Sequence, residues 1–180
     1  YNLDTNVREA RQSIGVVPQE LTLDPFFSPR DSLELQAGMY GVRKKDRKTK
    51  EILSALKLTD VANGYARRMS GGMKRRLMVG KAMVHSPPIL VLDEPTAGVD
   101  VELRRHLWEM VQDLNNKGTT ILLTTHYIEE AEQLCDRIGI LNDGSLVACD
   151  TKDKLVSLID KKELIVKLQE NFISIPDSLK

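Results

Sequence analysis

Ile89-Leu90-Val91-Leu92-Asp93-Glu94-Pro95 is the stretch on which the fold turns. Four consecutive apolar residues make a short buried strand, and that strand delivers two adjacent carboxylates at its end. A strand holds its backbone rigidly, so the residues at its end have a fixed aim. Downstream, Val101–Asn116 reads as a helix closed by Lys117-Gly118. Thr120–Thr124 is a strand, Ile128–Cys135 a helix and Ile138–Leu141 a strand. Asn142-Asp143-Gly144 then forms a hairpin turn into Leu146–Cys149. Strands alternating with helices of these lengths imply a parallel α/β sheet.

Upstream the pattern differs. Ser13–Pro18 is a short buried strand ending at Gln19. Ser28-Pro29 opens a helix, serine as cap and proline at the first helical position, that ends near Gly41. Lys44–Leu56 is expected to be a second amphipathic helix with Ile52, Leu53 and Leu56 on one face. Met69-Ser70-Gly71-Gly72-Met73 starts another helix that runs to Met83. Helix N-termini present unpaired N–H groups and partial positive charge, and glycines let a phosphate come close to the backbone. Ser70 reads either as a plain cap or as a donor to a phosphate. Lys152–Ile159 reads as a helix and Glu163–Leu168 as a strand.

Composition sets bounds. A chain of 180 residues can bury one domain core. Lys and Arg total 26 and so do Asp and Glu, a balance that argues against a nucleic-acid partner. Cys135 and Cys149 show no metal-ligand spacing, so free thiols in a reducing cytosol are expected. No apolar run approaches the ~18–20 residues of a membrane span. Tyr1 reads as an internal residue of a longer protein.

The serine-glycine helix start followed by the strand-borne Asp93-Glu94 resembles the ATP-binding cassette (ABC) family of transport ATPases. The signature motif of that family is Leu-Ser-Gly-Gly-Gln; here Met69 and Met73 stand at its first and last positions. Gln19 resembles the family's Q-loop glutamine, Pro95–Asp100 its D-loop and His126 its H-loop histidine. The resemblance covers roughly Ser13 to Ile159. It implies a P-loop NTPase-like (RecA-like) α/β fold with a mainly parallel sheet and a helical subdomain. It implies ATP and Mg²⁺ as ligands, with Asp93 and Gln19 toward the metal. Glu94 would activate the attacking water, at a typical gain of about 10²–10⁴-fold for a positioned base. His126 would sense the γ-phosphate. Ser70, Gly71, Gly72 and Asp100 would serve the nucleotide across a head-to-tail homodimer.

The implied organisation is a partial ATPase core at 1–19, a helical subdomain at 20–88, the rest of the core at 89–150 and an accessory region at 151–180. The implied partner is a transmembrane permease that docks near Glu20–Phe27, of the drug, polysaccharide or lipid exporter type. This would place the protein on the cytoplasmic face of the membrane. A soluble non-transport cassette ATPase and a non-catalytic binding fragment remain as alternatives. Of Phe26 and Phe27, one is expected in the core and one on the surface. Lys74-Arg75-Arg76 is expected to be a solvated helix face, or else a source of positive field for phosphate. Met78 and Met83 are expected to fill the core.

One family element has no match. None of the eleven glycines fits Gly-x-x-x-x-Gly-Lys-Ser/Thr; at the nearest candidate, Gly80-Lys81, Arg75 and Ala82 break the pattern. The resemblance puts the P-loop and its strand upstream of Tyr1. The 180 residues by themselves are then expected to bind ATP poorly. The strands beside the gap are expected to be unpaired or forced together, and to favour repacking or oligomers.

Overall fold

A computed structural model describes residues 1–2 and 4–158. The chain divides into two compact units, Tyr1–Cys135 and Asp136–Lys180. The first unit opens with helix α1 (Val7–Gln12) and strand β1 (Ile14–Val17). Helices α2 (Pro29–Met39), α3 (Thr49–Ala55) and α4 (Gly71–Met83) follow, with one 3₁₀ turn between the first two and two between the last two. Strand β2 (Ile89–Asp93), helix α5 (Val101–Asn116), strand β3 (Thr120–Thr124) and helix α6 (Ile128–Leu134) complete it. The three strands form one parallel sheet in the order β1-β2-β3, with Val17 opposite Leu92 and Asp93 opposite Thr124. Among the described residues no further strand of this sheet pairs with β3.

Helix α4 is the keystone of this unit. Its Leu77 belongs to a core cluster with Leu33, Leu53, Leu56 and Leu58. Its Met78, Val79 and Ala82 belong to a second cluster with Val17, Leu90, Leu92 and Val111. Two glycines make the double contact possible. A Cβ on Gly80 would sit 2.5 Å from a Leu56 methyl, and one on Gly15 would sit 2.4 Å from the Ala82 carbonyl. Gly80 is therefore a packing residue between α4 and α3.

Helix α2 starts as expected: the Ser28 Oγ accepts the Asp31 N–H at 3.1 Å, and Pro29 occupies the first turn. The single helix expected over Lys44–Leu56 is instead a 3₁₀ turn, Lys44–Asp46, and then α3. Glu34 of α2 explains the break. It accepts from Arg47 Nη1 at 2.7 Å and also from the Thr49 hydroxyl. Both residues reach one carboxylate because Arg47 is extended rather than helical. The six-residue α1 lacked a visible period, with Ala10 as its buried residue. Phe26 and Phe27 are both exposed, against the expectation that one lies in the core.

The second unit is a hairpin of β4 (Arg137–Asn142) and β5 (Ser145–Thr151), followed by α7 (Lys152–Leu158). Asp143 and Gly144 both have positive φ, 47° and 76°, as a two-residue turn matching strand twist requires. The strand expected at Glu163–Leu168 lies outside the described residues, as does Ile159.

Candidate functional site

The parallel register brings the carboxyl ends of three strands to one edge of the sheet, where open α/β sheets hold their ligands. Gln19 lies just past the end of β1, Asp93 ends β2 and Thr124 ends β3. Glu94 and His126 lie immediately beyond. Glu94 is the hub. Its Oε2 accepts from Gln19 Nε2 at 3.0 Å, and its Oε1 is 3.1 Å from His126 Nδ1. Asp93 accepts from the Thr124 hydroxyl. Two residues far apart in sequence, Gln19 and His126, thus converge on the Glu94 carboxylate, and Asp93 stands beside it.

Backbone geometry sets the aim of that carboxylate. Glu94 has φ +44°, an unusual conformation for a side-chain-bearing residue that costs about 1–3 kcal/mol and needs surrounding support. The support comes from β3. The Glu94 N–H is shared between the Thr124 carbonyl at 3.1 Å and the Thr124 hydroxyl at 3.2 Å. The chain therefore leaves the strand in a sharp turn at Glu94.

The supporting roles of two residues, Arg75 and Glu130, escaped the sequence reading. Arg75 is buried, with Nη1 donating to the Pro18 carbonyl at 3.0 Å and Nη2 to the Gln19 carbonyl at 2.7 Å. Arg76 donates to the Leu56 carbonyl at 2.9 Å. The expectation of a solvated face at Lys74-Arg75-Arg76 is therefore wrong for both arginines. Burial pushes the Arg75 guanidinium below its ordinary value, and the negative charge of Asp93 raises it in part. Glu130 is the other. It is fully buried on α6, and its Oε1 accepts the Thr96 hydroxyl and the Trp108 indole N–H, each at 2.9 Å. It ties the loop after Glu94 to the helix after His126. Tyr127, beside His126 at 4.1 Å between rings, is covered by the Arg104 guanidinium at 4.6 Å.

The Ser70–Gly72 stretch is built differently. Ser70 is extended and caps α4, its Oγ accepting the Met73 N–H at 3.2 Å. Met69 is buried, Met73 packs on the helical core and Gly71 is exposed, with nothing within 4 Å of where a Cβ would stand. Among the described residues, no hydrogen bond or ion pair joins Ser70, Gly71 or Gly72 to Gln19, Asp93, Glu94 or His126. Asp100 is exposed at the entry to α5, where its carbonyl accepts the Arg104 N–H at 2.9 Å.

Among the described residues no group of three or more His, Cys, Asp or Glu could hold a metal ion. No described helix is long and apolar enough to cross a membrane.

The family profile described as "ABC transporter" matches residues 2–97. The linearmycin resistance ATP-binding protein LnrL of Bacillus subtilis is 40% identical over 167 residues, covering 92% of this chain and 54% of that protein. The Nod factor export ATP-binding protein I of Burkholderia lata is 42% identical over 146 residues, covering 80% of this chain and 48% of that protein. The chain spans about half the length of the curated relatives it matches. Among solved structures, an ATP-binding subunit of an ABC transporter superposes with TM-score 0.76 at 28% identity, over 88% of this chain and 67% of that one. A dimeric ATP-binding cassette in a post-hydrolysis state, bound to ADP and Pi, gives 0.71 at 26% identity, over 84% and 68%. The fold is that of a P-loop NTPase, an α/β architecture with a parallel sheet, as expected.

Proposed function

The chain belongs to the ABC transporter family, and from that membership we propose that it is part of an ATP-hydrolysing subunit driving export through a membrane permease. The observation that carries the proposal is the convergence of Gln19 and His126 on the two oxygens of Glu94. Each oxygen keeps a further lone pair, so a water held there faces a base whose aim is already set. In the proposed reaction that water attacks the γ-phosphate of ATP in line, Glu94 takes its proton, and ADP is the leaving group. His126 and Gln19 are the groups that would exchange their hold on Glu94 for contacts to the phosphate and its surroundings.

Mg²⁺, when bound, would neutralise charge on the transferring phosphate. The donors fit it in part: Asp93 offers a carboxylate oxygen beyond the one engaged by Thr124, and Gln19 an amide oxygen. With no three-residue acidic or imidazole cage among the described residues, phosphate and water would complete the shell, the common Mg²⁺ arrangement.

Ser70, Gly71, Gly72 and Asp100 would act on the nucleotide of a second copy. The open space at Gly71 and the lack of bonds from Ser70 to Glu94 favour that arrangement. The proposed division is an ATPase core of 1–19 and 89–150, a helical subdomain of 20–88 and an accessory region of 151–180. Exposed Phe26 and Tyr65, both within cation–π reach of Arg67, would meet the permease at the cytoplasmic membrane face.

Mixing two inactive forms of the whole protein tests the reading. Glu94→Gln removes the base and Gly71→Asp puts a carboxylate where the phosphate would approach. Neither turns over ATP alone. Random pairing of the two leaves one intact composite site in half of the dimers, so mixing restores about a quarter of wild-type turnover. Zero recovery on mixing, with dimers confirmed, refutes the composite site.

A further inference from the structure

The buried arginine of α4 has a role that its position in the helix does not announce. Pro18 and Gln19 lie past the last ladder pair of β1, Val17 with Leu92, so their carbonyls have no strand partner there. Arg75 supplies one donor to each, at 3.0 and 2.7 Å. The Gln19 side chain, fixed by that backbone, donates to Glu94. We propose that Arg75 is a positioning residue that keeps Gln19, and through it Glu94, in register with the Ser70 end of α4. The inference rests on the ATPase reading above.

Three observations carry it. Arg75 is 5% exposed, so its charge is held out of water for a purpose that packing alone would meet better with an apolar side chain. Its two terminal nitrogens bond successive carbonyls, a forked geometry that a lysine ammonium cannot reproduce. It also sits five positions after Ser70 on the same rigid helix, about 7.5 Å along the axis. A shift of α4 at its Ser70 end is therefore delivered to the Gln19 backbone through one side chain. In a head-to-tail pair, Ser70 would meet the nucleotide of the second copy while Arg75 holds the Gln19 of its own. One guanidinium would then lie between the two ATP sites.

A double-mutant cycle in the whole protein tests this, with kcat and KM for ATP measured at each corner. Arg75→Lys lowers kcat on the order of 10- to 100-fold, because Glu94 loses its aim, and leaves KM within about threefold. In a Gln19→Ala background the same change lowers kcat by less than about threefold, because the group being positioned is already gone. Arg75→Gln, which keeps one planar amide donor, falls between Arg75→Lys and wild type. Equal factors in the two backgrounds, or an unchanged kcat in Arg75→Lys, overturn the proposal. Loss of folding in both Arg75 variants overturns it too, marking the arginine as a structural group. A wild-type protein without ATP turnover overturns the ATPase reading and this inference together, whereas an active wild type with additive changes overturns only the inference.

Discussion

The sheet edge around Glu94 and the helix start at Ser70 differ in how much of their chemistry the chain itself satisfies. At the sheet edge both Glu94 oxygens, one Asp93 oxygen and the strained Glu94 backbone are met from within. At the helix start Ser70 caps its own helix, and the glycine beside it faces open space. A region of the first kind is organised before any ligand arrives, which would lower the reorganisation needed in the proposed reaction. The second kind is a surface, and a surface of free N–H groups invites an anion from elsewhere. The difference supports a division of labour in which one region does chemistry and the other recognises what a neighbouring copy brings.

The sharpest break of that contrast is Glu94→Gln. Turnover in the whole protein is expected to fall by about 10²–10⁴-fold with ATP binding retained, measured by single-turnover phosphate release and equilibrium binding. Undiminished turnover would remove the base from the sheet edge. Gly71→Asp probes the other region. A carboxylate about 4 Å from a phosphate costs about 4 kcal/mol per charge pair at an effective dielectric of 20, so ATP turnover by the Gly71→Asp protein alone should be lost. The thermal midpoint should barely move, since the added atoms meet nothing. A large drop in the midpoint would mean that the helix start is packed rather than open.

Smaller effects sharpen the same contrast through stability. Gly80→Ala forces a methyl group against Leu56 and should cost about 1–3 kcal/mol in denaturant unfolding, while Gly71→Ala should be close to neutral. The smallest effect concerns pH. Burial lowers the His85 pKa below its ordinary 6.5, against a hydrogen bond to the Ile14 carbonyl that raises it. The unfolded chain then binds the proton more readily. The contribution of His85 to stability is complete above the unfolded value and is lost as pH falls through the lowered one. His85→Gln should flatten the acid limb of the stability curve. An unchanged limb would show that the stacked Tyr40–His85 pair carries no such linkage.

Much of the fold was legible because its signals are local. The apolar run before Asp93, the Ser28-Pro29 cap and the Asp143-Gly144 turn act through neighbouring residues, and each element formed where its residues asked for it. The break between Lys44–Asp46 and α3 was not legible, because its cause is Glu34 on another helix. The two phenylalanines at 26 and 27 were misjudged in part for a similar reason: apolar character does not say which helix is near enough to cover it.

The resemblance to the ABC family, carried by motif order along the chain, marked Gln19, Asp93, Glu94 and His126 as candidates; position after a strand would not have singled out Gln19 or His126 by itself. The sequence alone also supplied the helix cap at Ser70 and the absence of a phosphate-loop pattern among these residues. Only the tertiary structure decided that Gln19 and His126 meet on Glu94, that Arg75 turns inward to hold two carbonyls, and that Glu130 is buried between Thr96 and Trp108. The reason is physical. A propensity or a cap is settled within a turn or two of chain, whereas a buried charge finds its partner only when packing has brought distant backbone within 3 Å of it.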